Sequence, residues 1–168
     1  GTVITGFIPE SIDEATGIAV QADGRIILRG SSLSNQGGAA MVRYLPSGAL
    51  DPSFGTGGRV VINVEDSLFV SGDRSVGIAL QSDGKILTTE TAYVNGQFRG
   101  VVLRFLANGA LDASFGGDGI VMDASESIFN TVHVQADGRI LVAGLRVFPG
   151  TGSGLAARFM PDGSPDAT

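Results

Sequence analysis

The sequence predicts an all-β protein made of three copies of a four-stranded unit, and three observations lead there. First, the block Gln21-Ala22-Asp23-Gly24-Arg25-Ile26 returns as Gln81-Ser82-Asp83-Gly84-Lys85-Ile86 and again as Gln135-Ala136-Asp137-Gly138-Arg139-Ile140, the self-similarity that marks a repeat architecture. Second, Gly or Pro cuts the apolar runs every ~8–12 residues, which suits strands and denies a helix its period. Third, glycine fills 26 of 168 positions, well above the usual ~7%, so turns are frequent.

Taken in order, the first repeat opens with strands over 17–21 and 25–30 around an Asp-Gly turn, where Gly24 supplies the positive φ of a tight hairpin. A third strand over 39–45 ends at Pro46-Ser47-Gly48, and a β-branched fourth strand covers 59–64. The second block keeps register: Arg43-Tyr44-Leu45, Arg104-Phe105-Leu106 and Arg158-Phe159-Met160 lead to Asp51, Asp112 and Asp166. Ser53-Phe54-Gly55 and Ser114-Phe115-Gly116 follow in the first two copies, and each then passes through Gly58 or Gly119 into its last strand. Gly1-Thr2-Val3-Ile4-Thr5 reads like that last strand, so residues 1–9 are expected to complete the last repeat and remove a sheet edge. The organisation is one repeat domain over 1–168, with repeats at 10–66, 67–125 and 126–168.

The blocks Gly17-Ile18-Ala19-Val20-Gln21-x-Asp23-Gly24-Arg25-Ile26, Val42-Arg43-Tyr44-Leu45-Pro46-x-Gly48-x-Leu50-Asp51-x-Ser53-Phe54-Gly55 and Gly58-x-Val60 resemble the delta-60 repeat family over nearly the whole chain. That resemblance implies β-propeller blades of a large bacterial secreted or surface protein, with an extracellular setting and no assigned biochemical role. Two departures stand out: Thr88-Thr89-Glu90 replaces a Val-Ala-Gly, and Asn130-Thr131-Val132-His133 replaces a small-residue strand start. A four-stranded blade cannot bury both faces alone, and propellers close with four to eight blades. Two chains of three blades are therefore expected to form a six-bladed homodimer, with the strand at residues 3–5 finishing the third blade of its own chain or of the partner. The alternative is a monomeric three-repeat β-trefoil.

Composition narrows function. There is no Cys and no Trp, which excludes disulfide scaffolds and thiolate chemistry. A net charge of −6 disfavours nucleic acid, and no apolar run nears the ~18 residues that would suggest membrane insertion. The segment from Gly1 has no basic start followed by an apolar core, so no signal peptide is expected within it.

The residues that could carry chemistry are few. His133, the single histidine, replaces Ala19 and Ala79 on the innermost strand and is a candidate channel-facing ligand residue. No catalytic triad can be built without it, no nucleophile elbow is present, and no phosphate-binding loop occurs. Arg43, Arg104 and Arg158 recur with Asp51, Asp112 and Asp166, which points to a structural guanidinium–carboxylate pair in every repeat. Phe54 and Phe115 are expected to anchor one blade on the next. Carboxylates crowd the connections between repeats, and Asp13, Glu14, Glu65 and Asp66 are the candidate Ca²⁺ ligands there. Tyr93, Asn95 and Phe98 form an Asn-Gly hairpin with two aromatics, a candidate contact finger, while the acidic loop face is the expected place for a protein or glycan partner. The expected function is a non-enzymatic structural or binding module without a cofactor. The alternatives are a propeller hydrolase or lyase with a metal at the channel mouth, or a carbohydrate-binding lectin.

Overall fold

A computed structural model describes residues 1–6, 13–32, 38–62, 68, 69 and 77–167. Among these residues three antiparallel sheets form, one per repeat. The first runs β1 (Asp13–Val20), β2 (Ile26–Ser32), β3 (Gly38–Tyr44) and β4 (Arg59–Ile62) in spatial order. The second starts in two pieces, β5 (Leu68–Phe69) and β6 (Ile78–Leu80), which pair with the same strand, β7 (Ile86–Val94). It continues through β8 (Gln97–Phe105) to β9 (Ile120–Met122). The third holds β10 (Ser127–Val134), β11 (Ile140–Phe148) and β12 (Thr151–Phe159).

Each sheet is a meander of its own repeat, and no ladder among the described residues joins two repeats. That is a blade arrangement and not the trefoil alternative, in which repeats share a barrel. The predicted Asp-Gly hairpins form at the repeated positions, with Gly24, Gly84 and Gly138 at φ of 81, 85 and 83°. In the second and third sheets the ladders run out to Val94↔Gln97 and Phe148↔Thr151. Asn95 and Gly96, both at positive φ, make the two-residue turn whose twist matches the strands, so pairing continues to the tip. The equivalent first-repeat loop falls largely on residues 33–37, outside the described residues.

Alternation along the strands assigns each face. Ile86, Val101, Leu103 and Phe105 turn toward the first sheet and pack with Ile27, Met41 and Phe54. Their neighbours Leu87 and Val102 turn the other way and pack with Phe115, Phe129, Ile140 and Phe159. Side chains of opposite parity leave opposite faces of a strand, which is why the middle sheet reads as the unbroken apolar run Val101-Val102-Leu103.

Residues 1–6 form no strand. They lie against the first repeat, where Arg59 Nε donates to the Gly6 carbonyl at 3.0 Å. The expected completion of the last blade by residues 1–9 is therefore not made by the chain's own described N-terminus; residues 7–9 lie outside the described set. The reason is positional: the third sheet sits beyond the second, away from the first.

Phe115 is fully buried between sheets two and three, so Phe115→Ala is expected to cost about 3–5 kcal/mol in urea unfolding. Tyr93→Ala at the exposed hairpin tip should cost much less.

Candidate functional site

The most developed polar constellation is a clamp at the junction between repeats, and it is built twice. Arg43 Nε donates to Asp51 Oδ2 at 2.9 Å, Nη2 donates to Ser53 Oγ at 3.1 Å, and Nη1 crosses to the Ala107 carbonyl of the next repeat. The guanidinium lies over the Phe54 ring, 4.5 Å from its centroid. Asp51 Oδ1 accepts from the Ser53 amide at 3.0 Å and from its hydroxyl at 2.6 Å. In the second repeat Arg104 does the same, to Asp112 Oδ2 at 2.8 Å, Ser114 Oγ at 3.0 Å and the Pro161 carbonyl, over Phe115 at 4.6 Å.

The backbone fastens the same junction. Gly55 N donates to Asn108 O at 2.8 Å and Gly116 N to Asp162 O at 2.9 Å. The rings of Phe54 and Phe115 press on Gly109 and Gly163, where a Cβ would come within 3.0 and 2.9 Å of ring carbon, at φ of 88 and 92°. Only glycine combines that dihedral with that closeness. Each guanidinium thus donates from all three of its nitrogens while stacking on an aromatic face, a use that lysine cannot reproduce.

The Ser53 hydroxyl leads the contacts that hold the Asp51 carboxyl down at about 2, against 3.8 ordinarily. For Asp112 burial pushes upward, but Ser114 and Arg104 outweigh it and the net shift is down. In the third repeat Arg158 Nε donates to Asp166 Oδ2 at 2.7 Å. Arg25 and Arg139 add a second cation to Asp51 and Asp166, at 2.9 and 3.1 Å. The sequence predicted the Arg–Asp pairing; it did not predict the reach to the following repeat, for which the recurring Gly109 and Gly163 were the available signal.

A second buried pair escaped sequence reasoning. Arg29 Nε donates to Glu90 Oε1 at 3.1 Å, Nη2 bonds Glu90 Oε2 and, at 3.1 Å, the Thr89 carbonyl, and Nη1 reaches Thr16 Oγ1 at 2.9 Å. Arg29 is 4% and Glu90 5% exposed. Burial pushes the Glu90 carboxyl up to about 6 against the pull of Arg29. Glu90 occupies the position of Gly30 and Gly144, where a Cβ would meet the Glu14 and Ile128 carbonyl oxygens at 1.9 Å. So enclosed a carboxylate locks two repeats and offers solvent-borne substrate no approach.

The remaining candidates are scattered. His133 is exposed on β10, opposite Leu141. Tyr93 and Phe98 face each other across their own hairpin at 5.1 Å, with Asn95 at the turn. Asp13 and Glu14 are adjacent on β1 and so point to opposite faces, which prevents shared chelation; Glu65 and Asp66 lie outside the described residues. Asp123, also in a connection, is held by Arg146 at 3.2 Å. Among the described residues no three His, Cys, Asp or Glu side chains converge on a metal position.

A family model described as "Domain of unknown function (DUF5122) beta-propeller" matches residues 21–54, 81–115 and 135–168, the stretches that carry the hairpin and the clamp. No curated protein matches the chain. Among solved structures, the endo-arabinase from Bacteroides thetaiotaomicron VPI-5482 is similar in fold, at a TM-score of 0.53 and 11% identity over 96% of this chain. The chain spans 62% of the length of that structure.

Two outcomes follow from the buried charges. Arg104→Ala strands the Asp112 carboxylate and is expected to cost about 3–5 kcal/mol in urea unfolding. Asp51, depressed when folded, contributes stability at neutral pH that is lost as pH falls through its folded value of about 2. Glu90, raised when folded, works in the opposite sense: its contribution is complete below 4.5 and declines as pH rises through about 6. Melting temperatures of Asp51→Asn and Glu90→Gln across pH 2–8 should each lack the corresponding limb of the wild-type profile.

Proposed function

The chain belongs to the DUF5122 beta-propeller family, and from that premise we propose that it is a non-enzymatic structural or binding module, half of a six-bladed ring completed by a second copy. The observation that carries the reading is that the chain's elaborated polar chemistry repeats at its blade junctions instead of converging at one place. Arg43 and Arg104 each reach across to hold the next blade, a stapling role, whereas a catalytic centre needs one asymmetric constellation.

The flanks support association. Ile78, Leu80, Val132 and Val134 on the innermost strands pack against the preceding sheet. Their first-repeat counterparts Ile18 and Val20 are 63% and 62% exposed, an apolar surface of the kind that a neighbouring blade covers. A secreted or surface setting, implied by the delta-60 resemblance, belongs to the same proposal, as does a protein or glycan partner at the acidic connections. The endo-arabinase likeness is one of fold and moves no activity to this chain.

Sedimentation of the 17.1 kDa chain should give a particle of ~34 kDa, as a two-fold dimer requires. A compact 17.1 kDa species at micromolar concentration, or release of reducing sugar from arabinan, would overturn the reading. Ca²⁺ at millimolar concentration should leave the melting temperature unchanged, since a bound ion would raise it.

A further inference from the structure

We propose that Asn95 is a site of spontaneous backbone modification, in which the Gly96 nitrogen closes on the side-chain amide to a succinimide that water opens to aspartate and isoaspartate, and that the fold withholds the same chemistry from Asn108. The proposal is independent of the ring reading above.

The sequence contains two Asn-Gly steps, Asn95-Gly96 and Asn108-Gly109. Asparagine is a thermolabile residue, and a following glycine has no side chain to screen its nitrogen, so composition makes the two steps equal candidates. Exposure of the asparagines does not separate them either, since both lie at the surface. The structure separates them by what their reacting groups are bound to.

At Asn95 those groups are open. Asn95 at φ 50° and Gly96 at φ 82° form the tip beyond the last ladder pair, Val94↔Gln97. Gly96 is exposed, and nothing lies within 4 Å of where its Cβ would be. Its N–H enters no turn hydrogen bond, and among the described residues none reaches the Asn95 side chain.

At Asn108 every group the reaction needs is held. Asn108 Oδ1 accepts from the Ala110 amide at 3.0 Å, as Asp162 Oδ1 accepts from the Ser164 amide at 2.9 Å in the third repeat. The Gly109 N–H donates to the Leu106 carbonyl at 2.9 Å, and the Asn108 carbonyl accepts from Gly55 N at 2.8 Å. Gly109 is buried beneath the Phe54 ring. Freeing Asn108 therefore means opening the junction of repeats one and two and giving up several hydrogen bonds. Freeing Asn95 loosens only the tip of an exposed hairpin, where local opening is cheapest.

The chemistry balances with water alone. The Gly96 nitrogen loses its proton to solvent and bonds to Asn95 Cγ, the Cγ–Nδ2 bond breaks, and ammonia leaves. Water then adds to one of the two ring carbonyls. Opening on one side restores the main chain with an aspartate side chain; opening on the other routes the main chain through the side-chain carbon as isoaspartate. Either product exchanges a neutral amide for a carboxylate. Isoaspartate also adds a methylene to a turn that closes with two residues, next to the Val94↔Gln97 pair and the Tyr93–Phe98 contact.

Trypsin separates the two sites, because cleavage after Lys85, Arg99, Arg104 and Arg139 leaves Asn95 in the peptide 86–99 and Asn108 in the peptide 105–139. When the folded chain is held in mildly alkaline buffer, mass spectrometry should find a one-dalton gain at Asn95, divided between two chromatographic forms, at least tenfold faster than at Asn108. In denaturing urea the two rates should converge. Equal rates in the folded chain overturn the proposal, as does an Asn95 that stays intact over the period in which the urea-unfolded chain converts. A tenfold gap that persists in urea overturns the shielding of Asn108 by the fold.

Discussion

Everything in this molecule follows from a sheet with two apolar faces. Alternation sends Ile86 and Leu87, adjacent on one strand, into two different cores, so neither face of the middle sheet can be left to water. A strand pair in a sandwich has one wet side and one dry side; here both are dry, and lateral stacking is the one arrangement that serves both. Apolar surface sets the need for a neighbour, yet it is non-directional and would tolerate sliding. Direction comes from the clamp, whose guanidinium donates in three fixed directions at once: to its own aspartate, to its own serine and to the next blade's carbonyl.

The clamp also explains why its parts recur together. Removing serine would deprive the aspartate of its short hydroxyl bond, removing the aromatic would take away the face beneath the guanidinium, and any side chain in place of Gly109 would push that ring aside. Positions beside the clamp vary more freely. Arg25 and Arg139 reach the clamp aspartate, whereas Lys85 at the same place pairs with Asp83. A point charge on a flexible stem stays local, while the planar fork spans two carboxylates.

How much of this was legible in the sequence depended on distance along the chain. The hairpins around Gly24, Gly84 and Gly138, and the eight-residue step from Arg43 to Asp51, are local and repeat, so pattern alone revealed them. Glu90 stood out as a departure from the repeat, but Arg29 lies 61 positions away and no recurring pattern tied the two together. The Asn95-Gly96 hairpin, by contrast, was local and legible, and its strands pair right up to the turn. Asp13 and Glu14 looked like a ligand pair only while strand parity was ignored. His133 attracted notice by rarity, and among the described residues it belongs to no cluster of three metal-ligating side chains.

The exception among the junctions carries its own consequence. Arg29 is desolvated against the second repeat because Glu90 is there to receive it; the third repeat offers Ala143 and Gly144 at the matching places. Were the third blade to dock onto the first, skipping the second, Arg29 would lose its Glu90 carboxylate while staying enclosed, at a penalty of several kcal/mol. Near-identical modules invite shuffled assembly, and a single acid in place of glycine proofreads their sequence, giving the chain an order as well as a shape.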